Sequence, residues 1–425
     1  MNLKPYGPVT VLILAGGRGE RLDLLTTKRA KPAVPFGGNF RVIDFVLSNC
    51  FRAGLSDISI LTQYLPRSLE DHMSLGRAWD LDRLSAGLTY LHPFRGHEKS
   101  NWYGGTANAL YENMAILEEA RGDHFLILSG DHIYKMDYND LVARHEASMQ
   151  QVTVAVRPVP MEQTHHFGIF ERDESGSVTD FVEKPEAARS NLASMGIYVV
   201  RKQFMLEELR RRGADEPHLD FGKDLVPDWV ERGKLGLYSF DDYWLDVGTL
   251  ESYFVAHQDL LSETPVFDLA DDDWRILTNT RPRCPMHLGA RADVSDSLIS
   301  DGCRIAGKVF RSVIGPGVVV EEGVEIRDSI VMEETRIGRG SRVERCIVDK
   351  RVQVGENCRL GASGRGEINA DVPKALFSGL TLLAKESVVP DGFTLGRNVR
   401  WALGGETDPA RLPDSRRIPD GSSLL

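Results

Sequence analysis

Residues 11–21 read VLILAGGRGER, an apolar run that stops in a glycine-rich turn carrying two arginines. The run starts at Val9 and shows no polar alternation, which suits a strand buried on both faces of a parallel sheet flanked by helices. A strand feeding a glycine turn presents several backbone N–H groups with no side chain in the way, the geometry that cradles phosphate oxygens. The Walker pattern requires Gly-Lys-Ser/Thr after four spacers, which is absent, and the dinucleotide pattern requires a third glycine where Leu22 stands. What remains is a turn of Gly16, Gly17 and Gly19 in which Arg18 and Arg21 add fixed positive charge. On this stretch alone, a tight turn with solvated arginines is the alternative reading.

The same apolar-run pattern recurs at 57–63 (DISILTQ), 124–131 (HFLILSGD), 151–159 (QVTVAVRPV) and 195–202 (MGIYVVRK). Helical periodicity lies between them, as from Thr106 to Ala120, where Leu110, Met114 and Leu117 share one face. Strands alternating with helices predict an α/β fold with an open, mostly parallel sheet over residues 1–262. A stretch with acidic and proline punctuation, 263–293, reads as a linker. From Val294 the chain turns into short β-branched pieces cut by glycine, with aliphatics six apart at Val318, Val324 and Ile330, at Ile337 and Val343, and at Val348, Val354 and Leu360. A six-residue period predicts a left-handed parallel β-helix over 294–375. Residues 376–425 then form a C-terminal segment, apolar at first and ending in a mobile polar tail.

Bulk properties narrow the function. A chain of 425 residues divides into two or three domains, and no apolar stretch approaches membrane-spanning length. Net charge is −11, and no Lys/Arg block with interleaved aromatics opposes it, which argues against nucleic acid as a partner. The five cysteines (Cys50, Cys284, Cys303, Cys346 and Cys358) are odd in number and lack metal or redox spacing, so they read as reduced. With no secretory segment in MNLKPYGPVT, the expected location is cytoplasmic.

The continuation TTKRAKPAVPFGGNFRVIDFVLSNC (26–50) adds Lys28, Arg29, Lys31 and Arg41, a cationic cluster of the kind that offsets a triphosphate. Here the chain resembles the nucleotide-diphospho-sugar pyrophosphorylases, whose signature is GGxGxRLxxLTxxxxKPAxxxxG. Within them KRAKPAV, GGNFRVIDF and LSNC are similar to the glucose-1-phosphate adenylyltransferase branch, and the resemblance covers nearly the whole chain. It implies transfer of the adenylyl group of ATP to α-D-glucose 1-phosphate for glycogen synthesis, with Mg2+ as cofactor and a homotetrameric assembly.

Such a reaction is in-line attack of a phosphate oxygen on the nucleotide α-phosphorus, so it needs alignment of two polyanions and neutralisation of charge rather than a protein nucleophile. Mg2+ prefers one or two carboxylates plus phosphate oxygens. Asp131, directly after the strand in FLILSGDHIY, falls at the carboxyl edge of the sheet, and Asp246 lies in YWLDVGT. A lone aspartate at a strand end also reads as a cap or turn former. Both positions match the metal-binding aspartates of the resembled family. The resemblance further implies Arg18, Lys31 and Asp131 as catalytic residues, and Leu14, Gly16, Gly17, Gly19, Arg21, Gln63 and Trp102 at the nucleotide. It places the phosphate of the sugar on Lys184 of TDFVEKPE, sugar hydroxyls on Glu183, and Tyr103, Gly168, Ser194, Tyr198, Asp220 and Phe221 around the glucosyl group. Lys28, Arg29 and Arg41 match its site for an anionic allosteric effector, set between the two domains.

Three positions depart from the family pattern: Asn108 replaces an aspartate, Gly104 a larger polar residue, and Pro35 a histidine seen in some members. Two rival readings remain. One is a sister enzyme with another nucleotide or sugar. Its bifunctional acetyl-transferring version needs a histidine in the β-helix, and no histidine follows His287. The other is a catalytically silent regulatory subunit, which would have lost phosphate- or metal-binding residues that are all present here.

Overall fold

The computed structural model describes residues 7–93, 102–361, 364, 366–405 and 412–425. Its first part is built on strands β1 (Val9–Ala15), β2 (Asp57–Thr62), β3 (Gly87–Leu91) and β4 (His124–Ser129), which lie side by side in the order β3-β2-β1-β4 and all run parallel. Alternate residues of β1 explain its unbroken apolar run. Val11 and Ile13 enter one core with Ile58, Ile60 and Leu126, while Leu12 enters the core on the opposite face with Phe125 and Ile127.

Beyond β4 come β5 (His132–Tyr134), β6 (Val152–Pro158), β7 (Gly168–Arg172), β8 (Val178–Glu183), β9 (Leu192–Arg201), β10 (Leu235–Ser239) and β11 (Trp244–Asp246). Strand β9 runs antiparallel to β4, β6 and β7, so the sheet becomes mixed on this side. A strand buried on both faces reads as the same apolar run in either direction, and the sequence therefore carries no sign of the reversal. The helix expected over 106–120 is two helices, Thr106–Tyr111 and Met114–Glu119. Asn113 separates them, its side chain donating to the carbonyl of Ala109 at 2.8 Å in competition with the helical ladder.

The second part consists of three parallel sheets of two- and three-residue strands stacked in coils. Pairings His287–Arg304–Val319–Arg336 step by 17, 15 and 17 residues per coil, and Asp293–Lys308–Glu325–Arg342 by 15, 17 and 17. Inward residues such as Ile326, Val343 and Leu360, or Val331, Val348 and Leu383, stack into one apolar column. Val318 and Val324 point inward as the six-residue period predicts, whereas Ile330 faces out against the α/β part.

The coils extend past both ends of the 294–375 span read from the sequence. The first strand, His287–Leu288, lies within the expected linker, and strands at Thr381–Leu383, Thr394–Leu395, Arg417–Ile418 and Ser423–Leu424 continue the same sheets beyond residue 375. The reason is an insertion. Arg359 pairs with Thr394, a step of 35 residues, and the extra chain breaks the hexapeptide rhythm without ending the coil. The polar end of the chain is thus a further turn of the stack, its Ile418 closing the apolar column.

The two parts share a third core. Outward Ile330, Ile347 and Leu382 of one coil face, with Leu376 and Leu380 of the insertion, pack on Leu22, Leu25, Phe36, Tyr253 and Phe254. Each such buried aliphatic contributes about 1.5–3 kcal/mol. Among the described residues no helix is long and apolar enough to cross a membrane. All five cysteines are free and all but Cys284 are buried.

Candidate active site

Parallel pairing sets the site. Leu14 of β1 is the Cα partner of Ser129 in β4, so the chain leaves both strands at the same sheet edge, in the glycine turn on one side and at Asp131 on the other. Gly19 is left-handed at φ 65°, and a Cβ there would lie 2.9 Å from the Lys31 Cβ and 3.1 Å from a Thr26 methyl. Only glycine lets the turn close on Lys31 in this way. Gly17 faces open space, and Gly16 lies against Gln63.

A two-stranded ribbon brings in the second carboxylate. Strand β11 runs antiparallel to β5 with Asp246 as the Cα partner of His132, which places it beside Asp131. The Lys31 ammonium lies between the two, 2.7 Å from Asp131 Oδ2 and 2.7 Å from Asp246 Oδ1. Ser129 donates its hydroxyl to Asp131. Arg21 reaches the same place: a Cβ at Gly248 would stand 2.9 Å from Asp246 Oδ2 and 3.0 Å from an Arg21 Nη. Arg18, by contrast, is exposed, pairing with Glu20 at 3.3 Å and lying 5.3 Å from the Tyr64 ring centre.

Burial pushes the Asp131 carboxyl up, but the charges of Lys31 and then His132 and the bonds from Lys31 and Ser129 outweigh it and hold it well below the usual range. For Lys31, burial works to lower the ammonium, yet Asp131 and Asp246 together keep it above its ordinary value. The Lys31 ammonium thus stands between the two aspartates, with Arg21 beside Asp246. Two hard oxygen donors converging at a sheet edge are the set a magnesium-sized ion takes alongside phosphate oxygens, so the residues fit the group. His132 completes the cluster in space, its Nδ1 facing the Trp244 indole N–H at 3.3 Å and its Nε2 lying 3.5 Å from Asp131 Oδ1.

Of the other residues expected at the nucleotide, Gln63 lies against Gly16 of the turn. Leu14 is half-buried at the end of β1, Gln63 donates weakly to the Tyr103 carbonyl at 3.5 Å, and Trp102 is exposed.

On the sugar side, Glu183 ends β8, and Cβ atoms at Gly168 and Gly222 would fall 2.8 and 2.6 Å from its Oε2. Lys184 reaches back to Glu183 Oε1 at 2.7 Å, with its backbone at φ 50° before Pro185. The register of β9 shifts between Ser194 and Tyr198, a bulge that turns Ser194 toward the Tyr198 hydroxyl. Tyr198 stacks on Phe221 at 5.2 Å, and burial followed by Glu183 and Asp220 raises its phenol. Asp220 caps the turn beyond it, accepting from the backbone of Gly222 and Lys223 and from the Thr106 hydroxyl at 2.8 Å. Gln63 of the nucleotide set and Tyr103 of the sugar set are the pair that joins the two groups.

Two of the departures from the family pattern acquire reasons. Asn108 is buried, and its Oδ1 accepts from the Gly104 N–H at 2.8 Å, a role that an amide oxygen fills as well as a carboxylate. A Cβ at Gly104 would lie 1.9 Å from the Pro217 carbonyl oxygen, so the segment at 217–219 closes on a loop that must carry glycine here.

Lys28, Arg29 and Arg41 line a cavity of about 810 Å3 between the α/β part and the coils. Lys28 pairs with Glu386 at 3.1 Å, and Arg41 donates to the Ala33 carbonyl at 2.7 Å. Arg29 is buried against Asp349 at 2.9 Å, leaving its Nη1 without a partner. Sequence reading missed the cations that face them from the coils and from 281–283: Lys350, Arg351, Lys385, Arg281 and Arg283. Lys350, Arg351 and Lys385 sit in short polar corners of the repeats, where nothing local distinguishes them from solvated charge, and Arg281 and Arg283 precede the first coil strand. His132 and Thr106 were also missed, although both stand inside quoted motifs.

The family model for nucleotidyl transferases matches residues 10–263, and one for the GlmU-like C-terminal hexapeptide matches 285–371. The latter agrees with the coils as a left-handed β-helix. The chain is 45% identical over 98% of its length to a glucose-1-phosphate adenylyltransferase of Thermomicrobium roseum, of which it covers 97%. It is 40% identical to one from Acetivibrio thermocellus, over 92% of each chain, and 43% identical to one from Thermotoga maritima, over 94% of this chain and 95% of that one.

Proposed function

The chain belongs to the glucose-1-phosphate adenylyltransferases of the nucleotidyl transferase family, and from this premise we propose how its residues divide the work. The enzyme joins ATP and α-D-glucose 1-phosphate into ADP-glucose with release of pyrophosphate. The observation that carries the division of roles is the Lys31 ammonium held 2.7 Å from both Asp131 and Asp246 below the glycine turn.

The amides of Gly16, Gly17 and Gly19 receive phosphate oxygens of ATP, with Arg18 and Arg21 adding charge and Leu14, Gln63 and Trp102 bounding the base. Arg18, exposed and paired with Glu20 instead of Asp131 or Asp246, meets the departing pyrophosphate. Lys184 exchanges its bond to Glu183 for the phosphate of the sugar substrate, which frees Glu183 for sugar hydroxyls. Gly168, Tyr103, Ser194, Tyr198, Asp220 and Phe221 enclose the glucosyl ring. The sugar phosphate oxygen then attacks the α-phosphorus in line while Lys31 and Arg21 balance the growing charge. Enzymes of this kind use a divalent metal ion, which we take to be Mg2+ on Asp131 and Asp246, where it supplies further neutralisation of phosphate charge.

The cavity between the two parts is read as the site of an anionic effector through Lys28, Arg29 and Arg41. A buried guanidinium nitrogen with no partner supports it. Free cysteines favour a cytoplasmic setting, the product suits glycogen synthesis, and a homotetramer is the expected assembly. The β-helix lacks a histidine after His287 and serves as scaffold, not as an acyltransferase.

Pyrophosphate release measured over four nucleoside triphosphates crossed with several sugar 1-phosphates tests the whole reading. The expected result is turnover confined to ATP with glucose 1-phosphate. Preference for another pair would move the chain to a sister activity, and no turnover with any pair would make it a silent subunit.

A further inference from the structure

Asp23 lies two residues after Arg21, and its backbone sits at φ 49°, ψ −124°, inside a short 3-10 segment that it kinks. A non-glycine residue there is strained and persists only where its surroundings hold it. What holds it comes from the β-helix. The Arg400 guanidinium lies 2.9 Å from Asp23 Oδ1, with the two side chains only 11% and 5% exposed. Arg400 is on a coil strand, Arg400–Trp401, whose backbone pairs with neighbouring coils on both sides, so its Cα is fixed by the stack.

From Asp23 the contact continues into the phosphate turn. The Thr26 hydroxyl lies 3.1 Å from the Asp23 carbonyl and 3.0 Å from the Gly19 carbonyl, and the Thr26 methyl, like Lys31, closes on Gly19. Leu22, Leu24 and Leu25, on either side of Asp23, are sunk in the core shared by the two parts. Residues 19–26 therefore have one face anchored on the coils and the other shaping the turn. A buried ion pair of this kind is a poor source of net stability, because desolvation offsets its attraction, but it fixes geometry closely.

We propose that Arg400 of the β-helix is a positioning residue for nucleotidyl transfer, holding Asp23 and, through Thr26, the curvature of the Gly16–Gly19 turn on which ATP is bound. The inference rests on the reading of that turn as the ATP phosphate site. Catalytic competence then depends on the coils through one guanidinium, and losing it loosens the ATP side of the reaction and leaves the glucose 1-phosphate side intact.

The test is steady-state kinetics of the full-length enzyme with each substrate varied in turn, for Arg400→Gln, Arg400→Lys, Asp23→Asn, the Asp23→Asn/Arg400→Gln double variant and Arg21→Ala. Arg400→Gln should raise KM for ATP about tenfold and leave KM for glucose 1-phosphate within twofold, a split that general loosening of the fold would not give. Arg400→Lys should recover part of the loss, and the double variant should be no worse than twofold beyond the poorer single one. Should Arg400→Gln fail to fold, Thr26→Val, which removes the relay without stranding a charge, is expected to show the same ATP-selective rise. Equal effects on both substrates, or none, with Arg21→Ala still selective for ATP, would overturn the role of Arg400. An Arg21→Ala enzyme unaffected toward ATP would instead overturn the reading of the turn.

Discussion

The Lys31 ammonium is equidistant from Asp131 and Asp246, 2.7 Å from each, although Lys31 and Asp246 are 215 residues apart in the chain. Two features of the sheet produce this. Parallel pairing of β1 with β4 brings Asp131 beside the glycine turn, and the ribbon of β5 with β11 sets Asp246 opposite His132. The shared cation holds the Asp131 carboxyl well below its usual range, and the Asp131 and Asp246 oxygens lie within 4.8 Å of each other, close enough to meet on one divalent ion.

Replacing Asp131 by asparagine keeps the shape and the bond from Ser129 but removes one charge where neutralisation counts most. The expected outcome is a fall in kcat of about 10²–10³-fold with KM for both substrates within a few-fold, because the lost interaction is made chiefly in the transition state. An unchanged kcat in a pyrophosphate-release assay would remove Asp131 from the mechanism.

Lys184 is exposed, spends its charge on Glu183 at 2.7 Å and stands in a left-handed conformation before Pro185, so it is held ready rather than buried. In Lys184→Ala the sugar phosphate loses a charge-assisted contact, which corresponds to a rise in KM for glucose 1-phosphate of about 10- to 100-fold. KM for ATP should stay within about twofold. Equal rises for both substrates would contradict its assignment.

Gly19→Ala adds a methyl at φ 65° and 2.9 Å from the Lys31 Cβ. The left-handed backbone alone costs about 1–2 kcal/mol, and the turn must also give way against Lys31. We expect a lower melting temperature and a KM for ATP raised more than tenfold. Gly17→Ala, whose Cβ meets nothing within 4 Å, should leave melting unchanged and still raise KM for ATP by screening its amide. A Gly19→Ala enzyme with wild-type melting and ATP kinetics would show that the turn is not closed on Lys31 in solution.

Legibility in the sequence follows the range of the forces. The strand under VLILAGG and its buried neighbours are local apolar runs, and the coils are a local period, so both parts of the fold were readable. Strand direction at β9, the split of the helix at Asn113 and the coils beyond the insertion at 361–378 depend on partners far along the chain, and these were not. At the site, Asp131 stood out by position and Lys31 only as one of four cations in a cluster, whereas the separate role of Lys31 and residues such as Tyr103, Ser194 and Phe221 came only from the family resemblance. Arg400 and Lys350 had no signal, since in a repeat an outward cation looks the same whether it meets solvent or the other half of the molecule.

Lys350 gives the cavity between the two parts a pH dependence. Burial pushes its ammonium down, the neighbouring Arg41 and Arg29 push further, and Glu333 at 3.0 Å only partly restores it, which leaves the group at about 8 against an ordinary 10.5. The folded chain therefore gives up this proton as pH rises through about 8, while the unfolded chain keeps it to about 10.5. Between those values the unfolded state binds more protons, so the contribution of Lys350 to stability rises with pH. Anion binding runs the opposite way, because the cavity loses a cation as the group titrates. Sulfate, which does not titrate over this range, should raise the melting temperature at pH 7 clearly more than at pH 9, where about a tenth of Lys350 remains charged. In Lys350→Met the sulfate effect should be smaller at pH 7 and nearly the same at both values. A wild-type sulfate effect independent of pH, or one that the substitution leaves untouched, would show that Lys350 does not contribute charge to the cavity.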